Sequence, residues 1–382
     1  MDFDLSDEQR MLQDSVTRLL AEQCTFEQRQ AHLAEPYGYS RALWSQFAEM
    51  GLLGLPFAET DGGFGGGPVD TLIVMAAVGR SLAPEPYLAS VIMGGGLLRD
   101  AGSAAQRAAS LPAMAAGTLT LALAHAETPA RFELACVGTT ARQEGGSWLI
   151  SGSKRFVVSG DSADRLIVSA RTQGAANDAE GISLFVVDAD APGVTRRGYR
   201  TQDHGRAADI RLDSVRVDAG ALIGVAGTGL PIIERAVDVA IAALCAEAIG
   251  VMERAHELTV DYLKVRRQFG VAIGSFQALQ HRAVDMLVAI EQARSMALYA
   301  AMMCDEPDAA RRSRAISAAK VQIGKSARFV GQEAVQLHGG IGMTEECQVG
   351  HYFRRLSVIE ILFGDTAHHL RRLARSGGLG DA

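Results

Sequence analysis

Two stretches carry groups that can grip a phosphate-rich ligand. In Lys264-Val-Arg-Arg-Gln-Phe-Gly270, Arg266 and Arg267 can project from the last turn of a helical stretch, and Phe269-Gly270 turns the chain. Guanidinium groups suit a diphosphate because each offers several charge-assisted donors. The same cations also suit a solvated helix end, where the helix dipole favours positive charge; spacing alone leaves both readings open. In Gln336-Leu-His-Gly-Gly340 the paired glycines allow close backbone approach, and the Gln336 amide can meet pyrophosphate or adenine. Gly339 and Gly340 serve equally well as a helix C-cap. His338 reads as a structural histidine, and His368 and His369 have no convincing metal spacing. Asp365 stands just before Thr366, where the last helix begins, and can cap it. The five cysteines are scattered with no CxxC, so free and mostly buried thiols are expected, and no metal site.

The elements that must position these residues change character twice. Residues 1 to about 117 read as helices broken by Gly and Pro. Leu5, Leu12, Val16, Leu19 and Leu20 recur at helical spacing behind a Ser6-Asp7 start signal. Trp44, Phe47, Met50, Leu52 and Leu53 continue the pattern up to Asp61-Gly-Gly-Phe-Gly-Gly-Gly67 and Pro68. The next helix must end before Pro84 and Pro86. From about 118 to 225 the period becomes two, in short β-branched and aromatic runs such as SWLISGSKRFVVSG and ISLFVVDA. After Gly229 the helical period returns. Leu230, Ile233, Val237, Ile241, Leu244, Ala248 and Val251 form one stripe, and Ile316, Ala319, Ile323, Ala327, Val330, Ala334 and Leu337 another. Three domains are expected: 1–117, 118–225 and 226–382.

A chain of 382 residues with 48% hydrophobic content can build its core without disulfide or metal staples. A net charge of −7 with no basic block argues against nucleic acid as a partner. The apolar run from Val237 to Val251 is interrupted by Asp238 and Glu247, so no membrane span is expected. The acidic start MDFDLSDEQR argues against a leader, and a cytoplasmic location is expected.

Four phrases in order, WSQFAEMGLLGLPFAETDGGFGG, GSKRFVVSG, KVRRQFGVAIGSFQALQ and QLHGGIGMTEE, resemble the acyl-CoA dehydrogenase family over essentially the whole chain. HAETPAR, VGHYFRRL and FGDTAHHLRRLA are similar to one branch, the small subunit of pimeloyl-CoA dehydrogenase and related heteromeric enzymes of steroid side chains. The resemblance implies an α+β fold: a helical N-domain, a β-sandwich-like middle domain and a C-terminal four-helix bundle. It implies FAD-dependent α,β-dehydrogenation of an acyl-CoA thioester to the 2-enoyl-CoA. There a carboxylate takes the α-proton while the β-hydride passes to flavin N5. Arg266, Gln268 and Phe269 match the segment that reaches the FAD of a neighbouring subunit, and Gln277 a residue near its adenine. Gln336, Gly339 and Gly340 match the adenine-half contact, and Thr366, matching the threonine of the family's Tyr-Glu-Gly-Thr loop, is expected among the cofactor-binding residues.

This chain departs from the family where flavin and base would sit. Ala126 stands where most members present Thr or Ser. Phe156-Val157-Val158 replaces Trp-Ile-Thr or Trp-Ile-Ser; Phe156 can still pack on the flavin ring, but Val158 offers only its backbone N–H. Gly364 occupies the position of the catalytic glutamate, with Asp365 beside it as either base or helix cap. The alternative base position falls at about Ala240, and a familiar arginine at Ile241. The DGGFGGG loop, the Pro84–Tyr87 break and Met93–Gly96 either widen an acyl pocket or are plain turns.

The leading expectation is an FAD-dependent acyl-CoA dehydrogenase subunit of fatty acid or steroid side-chain degradation. The alternatives are a non-catalytic partner completing the FAD site of a homologous chain, and a flavin oxidase or nitroalkane-type enzyme on the same fold. Expected partners are an acyl-CoA, a homologous subunit in an α2β2 tetramer or further copies in a homotetramer, and an electron-transfer flavoprotein.

Overall fold

The computed structural model describes residues 5–128 and 130–377. The start of the acidic N-terminal segment therefore lies outside the described residues. Helix α1 (Asp7–Gln23) starts where the Ser6-Asp7 signal places it: Ser6 and Gln9 each bond the other's backbone N–H at 3.1 Å, a reciprocal cap. Helices α2 (Phe26–Ala34), α3 (Arg41–Glu49) and α4 (Pro68–Ser81) follow, the last with proline at its first position. After Pro84 and Pro86 comes an eight-residue π-helix, Leu88–Gly95, every residue of it buried. Then come α5 (Gly96–Ala101) and α6 (Ala104–Ala115). The glycine run at 62–66 is held tightly: the N–H groups of Gly63, Phe64, Gly65 and Gly66 donate to carbonyls of Ala58, Gly54, Phe57 and Leu55. It is a zippered turn.

The alternating runs form eight strands: β1 (Leu121–Ala124), β2 (Thr140–Glu144), β3 (Ser147–Val158), β4 (Arg165–Arg171), β5 (Ile182–Asp188), β6 (Val194–Arg200), β7 (Arg206–Asp218) and β8 (Leu222–Ile223). The sandwich-like expectation is refined here. The strands make one hydrogen-bonded sheet, ordered β6-β7-β3-β2-β4-β5-β8 with β1 on β4. Its two halves are joined at a single β2–β4 pair, Thr140 with Arg171. Ile150, Val157, Ile210 and Leu212 from one half share a core with Leu166, Val168, Phe185 and Val187 from the other. Burying two inner faces on one core is the physics of a sandwich, even when the ladder is continuous.

The long helices are α7 (Gly229–Val265), α8 (Gln277–Met303), α9 (Ala309–His338), α10 (Gln348–Ile361) and α11 (Thr366–Arg375). All fourteen residues of the two apolar stripes on α7 and α9 are buried. The chain divides into two compact units. One comprises residues up to Gln30, Pro68–Ala83 and from Ile241 on; the other comprises Ala31–Gly67 and Pro84–Ala240. The first unit adds α1 and α4 to the long helices. Within it Arg355 grips buried Glu247 through two bonds of 2.6 and 2.8 Å, and Arg80 bonds Glu257 at 2.7 Å. All five cysteines are free; Cys24, Cys245 and Cys304 are buried. No helix among the described residues is long and apolar enough to cross a membrane.

Candidate functional site

Arg266 follows the last residue of α7. Its N–H donates to Tyr262 and its carbonyl accepts from Ile273, both at 2.8 Å, so its backbone locks a short hairpin of two strands, β9 (Arg267–Gln268) and β10 (Val271–Ala272). Phe269 (φ 52) and Gly270 (φ 82) make the two-residue turn, which needs left-handed backbone at both positions. The Phe269 ring is thereby thrust outward, 92% exposed, with Phe276 set edge-on to it at 6.3 Å. The Arg266 guanidinium is exposed and has no acid partner among the described residues. Gln277 opens α8 and Gln336 sits in the last turn of α9; both are exposed, and neither side chain has a partner there. Gln268 donates to the Arg267 carbonyl at 2.8 Å.

His338 ties this end together. It is buried, its Nδ1 lies 2.8 Å from the Ala334 carbonyl, and its ring stacks on Tyr262 at 4.5 Å. Burial lowers its pKa, so it stays neutral. A depression of about 640 Å³ is lined by Tyr262, Val265, His338 and Ile341, which brings the residue before Arg266 and the residue after Gly340 onto one surface. Gly339 (φ 65) caps α9 in a conformation that requires glycine. Gly340 has no such excuse: its φ is outside the left-handed region, and an added Cβ would meet nothing within 4 Å. A glycine that neither conformation nor packing demands leaves backbone open to a flat ligand. An exposed guanidinium, exposed amides and bare backbone are groups of the kind that contact a phosphate-bearing ligand.

The middle sheet offers a second surface. At the irregularity in β3 between Lys154 and Val157, Phe156 takes φ 52 and turns its ring outward, 6.5 Å from Tyr199. Arg155, Phe156, Arg197, Tyr199 and Asp209 line a depression of about 540 Å³. Ser159 N–H donates to Arg206 across the ladder, so by antiparallel alternation the Val158 N–H points away from β7. Ala126 carries no hydroxyl, and its carbonyl accepts from Arg155 N–H at 2.8 Å.

Beneath this face lies a polar network that the sequence reading missed. Lys154, fully buried, donates to Glu127 (2.7 Å), Ser169 (2.9 Å) and the His125 carbonyl (3.2 Å). Glu127 also accepts from the N–H groups of Gly138 and Thr139. Burial pushes Lys154 down to about 8 and His125 to about 3, the latter helped by the Lys154 charge. Burial works against ionisation of Glu127, but Lys154 and the Thr139 N–H outweigh it and hold the carboxyl below its usual range. The network pins His125 and Glu127. Its signal was a lysine on the same alternating row of β3 as buried Ile150.

At the turn before α11, Gly364 adopts φ 117, and an added Cβ would lie 2.7 Å from both His368 and His369. Asp365 is the N-cap, accepting from His368 N–H at 2.7 Å. The Thr366 hydroxyl is buried without a hydrogen-bond partner, in the space beside Gly324 of α9. His369 is fully buried between Phe363 and Ser317. Burial first, then Lys320, drives its pKa to about 3. A carbonyl only accepts, so Nε2 carries the proton toward Phe363 and Nδ1 accepts from the Ser317 hydroxyl. Lys320 donates to the Ile359 carbonyl, and burial lowers it to about 8. Ala240 and Ile241 are buried apolar positions of α7.

The chain runs from short helices through a sheet to long helices. Its N-terminal, middle and C-terminal acyl-CoA dehydrogenase domain patterns match over residues 6–118, 122–215 and 227–378. FadE12, an acyl-CoA dehydrogenase of Mycobacterium tuberculosis, is 30% identical over 318 residues, covering 82% of this chain and 81% of its own. The chain belongs to the acyl-CoA dehydrogenase family, whose cofactor is FAD. Among solved structures, the Tcur3481-Tcur3483 steroid ACAD variant superposes with a TM-score of 0.86 at 29% identity, covering 97% of each chain. The ChsE4-ChsE5 complex from Mycobacterium tuberculosis gives 0.89 at 26% over 100% of each. The FAD complex of PigA gives 0.91 at 26% over 99% of this chain and 100% of that one.

Proposed function

We propose that this chain is one subunit of a heteromeric, FAD-dependent acyl-CoA dehydrogenase. In this reading it lends a cofactor-binding surface to a homologous chain that supplies the base. The observation that carries the proposal is Gly364. The glutamate position is taken by a residue whose φ of 117 disfavours any side chain and whose Cβ direction is filled by His368 and His369. The neighbouring carboxylate, Asp365, accepts the N–H of His368 as a helix cap.

FAD, when bound, accepts the hydride from the β-carbon of the acyl thioester. This chain's part is binding. Arg266 offers charge-assisted donors to the diphosphate, Gln277 and Gln336 offer amides to the adenine end, and Gly340 lets the ligand approach the backbone. Phe269 and Gln268, displayed on the hairpin, reach toward a neighbour. These groups are intact, whereas Ala126, Val158 and Gly364 lack the hydroxyls and carboxylate that would complete the chain's own flavin and base site. Unselected change would be expected to strike both groups. Loss confined to one is what a pair with a single working site tolerates. The ChsE4-ChsE5 complex supports a two-chain assembly as a precedent in fold. The substrate is then an acyl-CoA of fatty or steroid side-chain type, and an electron-transfer flavoprotein the acceptor.

Native mass spectrometry of the chain, alone and co-expressed with a co-encoded homologue, tests this. The expected result is an α2β2 tetramer with one FAD per heterodimer. A homotetramer of this chain with four FAD and full dehydrogenase activity overturns the proposal and makes Asp365 the base.

A further inference from the structure

His338 has one ring nitrogen that its structural role leaves over. Nδ1 lies 2.8 Å from the Ala334 carbonyl, and a carbonyl only accepts, so Nδ1 carries the proton of the ring. Burial keeps the imidazole neutral, which leaves Nε2 as a bare acceptor. No group among the described residues donates to it. The residue is only 7% exposed, yet Nε2 is not sealed inside; it opens on the depression of about 640 Å³ that His338 lines. Placing a polar ring in the interior costs free energy unless its atoms are paired. The Ala334 bond accounts for one nitrogen. Phenylalanine would stack on Tyr262 as well as histidine does, so packing does not require the other.

The lining of the depression defines what could pair with it. The Tyr262 ring stacks on the imidazole at 4.5 Å and 22°, and Leu258, Val265, Ile341 and Val349 supply apolar wall. Its charged members are Asp261 and Glu346, and no lysine or arginine lines it. A diphosphate is therefore repelled from this depression and left to Arg266, the residue that follows Val265. A neutral, flat group with an N–H donor at its edge is accepted. Its faces meet apolar side chains, its donor meets Nε2, and the two acids favour the positive end of that N–H. The volume is of the size that small-molecule sites have.

We infer that this depression takes the adenine ring of FAD, and that Nε2 of His338 accepts a hydrogen bond from the exocyclic amino group. This rests on the FAD reading above but not on which chain supplies the catalytic carboxylate. His338 is then a specificity residue that reads the purine. A base with a carbonyl in place of the amino group sets one lone pair against another and leaves Nε2 unpaired.

The test compares FAD with the analogue in which hypoxanthine replaces adenine, so that a carbonyl stands where the amino group was. Flavin fluorescence titrations are run on the chain purified with its co-encoded homologue and stripped of flavin, as wild type, His338→Phe and His338→Asn. Phenylalanine keeps the ring, asparagine keeps a donor for the Ala334 carbonyl, and neither places an acceptor where Nε2 stands. Wild type is expected to bind FAD about ten- to a hundredfold more tightly than the analogue. Both variants are expected to bring that ratio close to one. Equal affinities in the wild type overturn the inference, and so does a ratio that survives in either folded variant. Should one variant fail to fold, the other decides; should both fail, the wild-type ratio decides alone. Binding of neither dinucleotide by the wild type counts against the FAD reading itself, and the inference falls with it.

Discussion

Gly364 and Asp365 show how neighbouring residues divide a role. At φ 117 the backbone of Gly364 is in territory that side chains rarely enter, and His369 behind it is fully buried and bonded on both ring nitrogens. A carboxylate there would have to displace the histidine. Asp365 instead faces the first turn of α11, where an acid both accepts an orphan N–H and complements the helix dipole. Asparagine caps about as well as aspartate but cannot take a proton from carbon. Asp365→Asn is therefore expected to keep the stability of the wild type, and Asp365→Ala to lose about 1 kcal/mol. In the assembled enzyme, stopped-flow flavin reduction by acyl-CoA should be unchanged in Asp365→Asn. A fall of orders of magnitude would identify Asp365 as the base.

At the scale of elements, the first unit depends on how closely α4 approaches α7. A Cβ on Gly250 would lie 1.9 Å from the Ala76 carbonyl, and one on Gly79 would lie 2.0 Å from the Glu247 carbonyl. Each helix presents a glycine to the other's backbone, and the approach is too close for any side chain. This proximity also brings Arg80 of α4 to Glu257 of α7. Gly250→Ala adds a favourable helix former and still should destabilise, because overpacking against backbone outweighs propensity. The expected loss is about 1–3 kcal/mol in denaturant unfolding. A neutral or stabilised Gly250→Ala would show that the two helices can slide apart freely.

Across the whole molecule, buried histidines set the acid limit. His125 and His369 have folded pKa values near 3, and burial also lowers those of His32, His338 and His351. The unfolded chain binds protons on these rings from about pH 6.5 downward while the folded chain does not, so stability is full above that pH and falls as pH drops toward 3. Each fully neutral ring contributes a slope of about 1.4 kcal/mol per pH unit in that window. On the alkaline side Lys154 and Lys320, near 8 in the fold, add stability as pH rises from 8 toward 10.5. Cys245, Tyr39 and Tyr352, pushed up to about 12, remove it above their unfolded values. These opposed effects flatten the alkaline limb. Urea midpoints from pH 4 to 10 should therefore be strongly asymmetric, steep below 6.5 and shallow above 8; a symmetric profile would contradict the neutral histidines.

Periodicity alone made the element order legible. Side chains recurring every three or four residues must share a helix face, and each of the fourteen stripe residues of α7 and α9 is buried. Ser6 announced α1, Gly339 the end of α9 and Asp365 the start of α11, because caps are local hydrogen bonds between residues near in sequence. Sequence marked Asp365 and Gly340 as places where the chain ends or starts a helix but could not exclude a second role as base or ligand contact, since a helix cap and a ligand site use the same residue types. Nor could it find the Lys154–Glu127–His125–Ser169 network, whose partners lie up to 44 positions apart and meet only when β3 and β4 fold over one loop. The same holds for the glycines. Gly250 and Gly96 look alike in one dimension; one is bare because a backbone presses on it, the other has open space beside it, and only the packed chain distinguishes the two.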